Sequence, residues 1–210
     1  MKVKNSQRAY DTVAAMELPK HKKPKKPNIF FRTLMKVLSV PELIATDFEC
    51  RRDGMDRLGK NEPALILMNH SSFIDLKIAS SVLYPRPINI VATLDAFIGK
   101  AWLMRQIGCI PTRKFVFDIG LVRDINYCIK KLNTSVLMYP EAGYSFDGTS
   151  TTLPESLAKF VKMLGVPLVM IETFGAFHRQ PLYNELRRRK VKVRADMRYL
   201  LSADEIKEKT

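Results

Sequence analysis

Ala64-Leu65-Ile66-Leu67-Met68-Asn69-His70-Ser71-Ser72-Phe73-Ile74-Asp75 runs five apolar residues straight into a polar loop holding a histidine and an aspartate. A short apolar run closed by polar residues reads as a buried strand ending in a loop. Histidine, whose ordinary pKa lies nearest neutrality, suits proton abstraction. A carboxylate can accept its other ring N–H, fix the tautomer and stabilise the imidazolium as it forms. His70 and Asp75 are five residues apart, about 500° around a continuous helix. A loop between them is therefore needed to fold the Asp back onto the His. An ordinary reading stands beside this one. Ser72-x-x-Asp75 has the form of a capping box opening a helix over 73–84, with His70 a solvated loop residue. An Asp in the first helical turn can serve both purposes.

Outward from this stretch the pattern alternates. Strands are expected over 64–68, 88–93, 135–139, 168–173 and 191–201, with a further one over 47–52. Helices are expected over 73–84, 96–107, 119–132 and 154–164. The third helix places Val122, Ile125, Ile129 and Leu132 on one stripe; the fourth places Leu157, Phe160, Val161 and Leu164, with Pro154 in its first turn. Short apolar strands separated by helices predict an α/β fold: a mixed, largely parallel sheet flanked by helices. Ligands of such sheets gather at loops beyond the strand ends, and both His70 and Glu141 follow expected strands. The chain has no internal repeat and no glycine-rich phosphate loop.

Asn69-His70-Ser71-Ser72-Phe73-Ile74-Asp75 matches the H-x-x-x-x-D motif of the glycerolipid acyltransferase family, which includes the bacterial lysophosphatidate acyltransferases. Three further segments follow in that family's order. Gly108-Cys109-Ile110-Pro111-Thr112-Arg113-Lys114 resembles its second block. Tyr139-Pro140-Glu141-Ala142-Gly143-Tyr144-Ser145 resembles its third, usually F-P-E-G-T-R-S, and Val166-Pro167-Leu168-Val169-Met170 its fourth. The resemblance spans about residues 48–201. It implies a metal-free, cofactor-free O-acyl transfer in which His70 takes the proton of an acceptor hydroxyl and Asp75 orients His70. The attacked carbonyl is the thioester of acyl-CoA or acyl carrier protein, and the acceptor is a lysolipid, lysophosphatidate by default. It places the acceptor against Arg113, Lys114, Glu141, Ala142, Gly143 and Ser145, with backbone N–H groups near Gly143 as oxyanion donors. The chain departs from the pattern in the third block. Ala142 replaces a glycine, Gly143 a threonine, and Tyr144 the arginine implicated in holding the acceptor's phosphate. In the second block Lys114 stands where the family has arginine, and a point charge replaces a planar fork.

Composition frames this reading. The chain has 210 residues, 46% hydrophobic, enough for one domain with a substantial core. A net charge of +14 implies an anionic partner: a phospholipid surface, nucleic acid or an acidic carrier protein. Nucleic acid is not expected, because the basic segments lack interleaved aromatics and a docking motif. Cys50, Cys109 and Cys128 are too few and scattered for a disulfide framework or a zinc cluster, which suits a reducing cytoplasm. Residues 1–28 form a basic, proline-containing tail. Five lysines and three prolines within 19–27 predict an extended tether or a polybasic clamp on anionic headgroups.

Residues 29–45 form an amphipathic segment, with Phe30, Phe31, Leu34, Val37 and Leu38 on one broad face and Pro41 ending the helix. This is the pattern of an interfacial helix, although a helix packed on the domain is the competing reading. No apolar run reaches the roughly 20 residues that span a bilayer, and no cleavable signal is present. The expected location is peripheral, on the inner face of the cell membrane. Residues 46–210 form the acyltransferase domain. A second basic cluster, Arg187 to Lys190 with Lys192 and Arg194, reads as a solvated helix end or a headgroup contact. Ser202-Ala203-Asp204-Glu205-Ile206 begins a helix near the chain end, as in a protein that continues beyond Thr210. The reading from a different class is a non-catalytic, basic lipid- or nucleic-acid-binding module on the same fold. The intact His–Asp segment argues against it.

Overall fold

The structure, a computed structural model, describes residues 21–113, 119–141, 143–145, 148–149, 152–181 and 188–208. In chain order the elements are α1 (Ile29–Ala45), β1 (Glu49–Asp53), β2 (Leu65–Met68), α2 (Asp75–Val82), β3 (Ile88–Thr93), α3 (Ala101–Gln106), β4 (Cys109–Thr112), α4 (Ile119–Lys130), β5 (Ser135–Met138), α5 (Ser156–Leu164), β6 (Leu168–Phe174), α6 (Ala176–Arg179), β7 (Arg194–Leu201) and α7 (Ala203–Glu208). The seven strands form one sheet in the order β1-β7-β6-β2-β5-β3-β4. Only β6 and β7 pair antiparallel. The four-residue β2 lies at the centre, parallel to β6 on one side and β5 on the other.

The central strands are buried on both faces, as their unbroken apolar runs require. Successive side chains point to opposite faces, so Leu65 and Leu67 join one core and Ile66 and Met68 the other. The first core continues with Ile125, Cys128 and Ile129 of α4 and Leu164 of α5. The second continues with Ile78 and Ala79 of α2, Ile90, Leu137, Val169 and Ile171.

Several expectations change. The apolar second block contains a strand of its own, β4, which pairs with β3 through Thr93 and Thr112. The helix expected over 96–107 is a 3-10 turn, Leu94–Phe97, followed by the short α3. Pro41 does not end α1. The helix runs through it to Ala45 and closes on Thr46, whose hydroxyl donates to the carbonyls of Glu42 and Leu43. Pro41 and Val37 both face outward, so the helical bond that proline forfeits leaves the Val37 carbonyl to water. Only half of the capping box forms: Ser72 N donates to Asp75 Oδ2 at 2.9 Å, while Ser72 Oγ is buried and unbonded among the described residues.

The basic linker is extended but is not a free tether. Pro24 and Pro27 are buried. Arg105 donates to the carbonyls of Lys22 and Lys23, Asn89 donates to Lys25, and Asn28 N donates to Gln106. Gly108, at φ +88°, lies under the Pro27 ring, where a Cβ would collide. With the linker carbonyls turned inward, Lys22, Lys23, Lys25 and Lys26 remain exposed.

Candidate active site

The loop between β2 and α2 folds the carboxylate back onto the imidazole. Asp75 opens α2, and its Oδ2 accepts three hydrogen bonds: from the backbone N–H of Ser71 at 2.7 Å, that of Ser72 at 2.9 Å, and His70 Nδ1 at 3.1 Å. Asp75 is fully buried, while the His70 side chain keeps 17% of its surface. A buried carboxylate is tolerable here because three donors and the start of a helix compensate its charge. Accepting from Nδ1 leaves Nε2 as the ring's basic nitrogen.

The loop is pinned on two sides. Asn69 exchanges hydrogen bonds with the Thr173 backbone on β6, 3.2 Å from its Nδ2 and 2.8 Å to its Oδ1, and the Ser71 and Thr173 hydroxyls meet at 3.3 Å. From the loop after β5, Ser145 N donates to the His70 carbonyl at 2.7 Å. Rings complete the enclosure. Tyr139 stacks on one face of His70 with centroids 3.9 Å apart, Tyr144 on the other at 3.7 Å, and Phe73 tilts against the outside of Tyr144 at 5.2 Å. Both phenols are pushed well above their ordinary value, first by burial and then by the Asp75 charge, so both stay protonated.

The remaining sequence candidates among the described residues fall at the same edge of the sheet, where β2, β4 and β5 end. Arg113 directly follows β4, and its Nε is buried without a partner among the described residues. Glu141 lies in the turn after β5, partly buried. Gly143 faces open space, where an added Cβ would meet nothing within 4 Å. Ser145 is buried and its hydroxyl is committed within its own loop, donating to the Thr149 carbonyl and accepting from Gly148 N. Lys114 and Ala142 lie outside the described residues, as does Arg187 of the second basic cluster. The sequence assigned no site role to Asn69, Thr173 or the two stacking tyrosines. Tyr139 and Tyr144 lay inside a recognised block, but only the fold shows that they flank His70. No group of three or more His, Cys, Asp or Glu among the described residues has the arrangement to hold a metal ion.

A separate apolar groove of about 430 Å³, its open mouth included, lies between α1, α2 and β3. Phe31, Met35, Leu76, Leu83, Ile88 and Ile90 are among the residues that line it. None of the polar site residues lines it; its nearest member in sequence is Leu76, beside Asp75.

A family model described as Acyltransferase matches residues 49–172, more than half of the chain. Among solved structures, the chain is similar to the crystal structure of the 1-acyl-sn-glycerophosphate (LPA) acyltransferase, PlsC, from Thermotoga maritima. That match has a TM-score of 0.62 and 15% identity, and covers 85% of this chain and 76% of that one. No curated protein matches the sequence.

Proposed function

Because the chain belongs to the acyltransferase family, we propose that it moves a fatty acyl group from acyl-CoA or acyl carrier protein to the hydroxyl of a lysophospholipid. Lysophosphatidate is the first acceptor to test, with phosphatidate as its product. The observation that carries this reading is the contact between His70 Nδ1 and the buried Asp75 Oδ2 at 3.1 Å, beyond the end of the central strand. In the reaction His70 Nε2 takes the acceptor's hydroxyl proton as the oxygen attacks the thioester carbonyl. The tetrahedral oxyanion collapses, the C–S bond breaks, and the leaving thiolate takes the proton from the imidazolium. The products are an ester and a free thiol. Asp75 holds the tautomer and stabilises the imidazolium. The N–H groups of Gly143 and Tyr144, unengaged among the described residues, suit the oxyanion. Arg113 suits an acceptor phosphate, and Glu141 contacts the acceptor.

The reaction takes place on an anionic membrane surface. A net charge of +14 supports this, as do the outward apolar residues of α1: Phe30 is 65% exposed, Val37 59% and Leu38 58%. No described helix is long and apolar enough to cross a membrane. The test is transfer of a labelled acyl group from each thioester donor to a panel of lysolipids. His70→Ala is expected to lose about 10²- to 10⁴-fold in rate while keeping its circular dichroism. Undiminished transfer by that variant removes the proposed base.

A further inference from the structure

We propose that Tyr144 is a positioning residue for the base, closing with Tyr139 an aromatic clamp over both faces of the His70 ring. This rests on His70 being the base. His70 is stacked between Tyr139 and Tyr144, with centroids 3.9 and 3.7 Å away, and Phe73 tilts against Tyr144 at 5.2 Å and 54°. These four rings interleave two loops. Residues 69–75 supply His70 and Phe73, the third block supplies Tyr139 and Tyr144, and the bond from Ser145 N to the His70 carbonyl ties the two backbones.

The interplanar angles to His70 are 21° and 29°, so the imidazole is covered face-on from both sides. Rotation out of this plane drives the ring into a phenol. Asp75 occupies the Nδ1 edge, and the edge bearing Nε2 is left for the acceptor. The clamp also acts on charge. An aromatic ring presents a negative face, so the imidazolium formed by proton abstraction gains more from the two phenols than the neutral ring does. That interaction strengthens along the reaction, which is the condition for it to raise kcat. Tyr144 occupies the position where the resembled pattern carries arginine. A guanidinium stacked there would oppose the developing positive charge, whereas a phenol favours it. The Tyr144 hydroxyl makes no hydrogen bond among the described residues, so the ring face carries the effect.

The experiment compares Tyr144→Phe, Tyr144→Leu and Tyr144→Met with His70→Ala in steady-state acyl transfer by the full chain. The Phe variant is expected within about threefold of the parent. The Leu and Met variants, of similar bulk without a ring face, are expected to lose about tenfold in kcat with KM changed less than about threefold. The His70 ring-proton resonances, shifted upfield by two stacked rings, move downfield in the Leu variant. Equal kcat for the Phe and Leu variants overturns the clamp. So does a loss confined to KM, or a His70 spectrum unmoved by loss of the ring. Activity retained by His70→Ala refutes the base itself. An inactive His70→Ala beside a fully active Tyr144→Leu refutes the clamp alone.

Discussion

One oxygen, Asp75 Oδ2, serves three donors, and this concentration shapes the site at the residue scale. The same atom turns the backbone of Ser71 and Ser72 and sets the tautomer of His70. Replacing it by Asn preserves size but removes the charge that stabilises the imidazolium. Asp75→Asn is therefore expected to reduce kcat about 10²- to 10⁴-fold with KM little changed, measured by the same labelled-acyl assay. A variant within threefold of the parent would mean that the carboxylate only shapes the loop. The pairing itself was legible from residue types, because a five-residue spacing demands a loop. That Ser72 Oγ would be left buried and without a partner among the described residues was not.

At the scale of the element, α1 docks by its less apolar side. Ser39, Glu42 and Leu43 are buried against the domain, while Phe30, Val37 and Leu38 face away. Glu42 is held by Arg179 at 2.8 Å and by Lys77 and Arg188 at 3.3 Å each, joining α1 to α6, α2 and the segment before β7. Burial alone would raise its pKa; the Arg179 hydrogen bond, with Lys77 and Arg188, outweighs this and holds the carboxyl below its ordinary value. A depressed carboxylate stabilises fully above its unfolded value of about 4.5, and that contribution is lost as pH falls through the lower folded value. Glu42→Ala leaves Arg179 buried without its carboxylate and is expected to cost about 3 kcal/mol in urea unfolding at pH 7. Its stability should also change less than the parent's as pH falls below about 4.5. Equal pH slopes for the two proteins would exclude Glu42 as the acid-sensitive anchor. The sequence located the start of this helix but put its end at Pro41, and a glutamate among apolar residues gives no hint of Arg179 and Arg188, more than a hundred residues away.

Across the whole molecule, the outward face of α1 lies on the same surface as Trp102 of α3, whose ring meets Phe31 at 5.9 Å. The docked linker leads into this helix and displays four exposed lysines. Such a surface combines apolar insertion with attraction to headgroups. The full chain is expected to sediment with vesicles containing anionic lipid far more than with purely zwitterionic ones. The difference should shrink as NaCl rises toward 1 M, where the screening length is about 3 Å. The double variant Phe30→Asp, Leu38→Asp should weaken binding at every salt concentration. Equal sedimentation with both vesicle types would remove the anionic surface as a partner. The sequence by itself determined the α/β class, the seven-strand sheet except for β4, and the His–Asp loop, because periodicity, turn residues and short-range spacing are local properties. Only the tertiary structure decided the strand order, the outward turn of α1, the docking of the linker and the stacking of Tyr144 on His70. Each depends on which distant surfaces exclude water from one another, and local pattern carries no record of that.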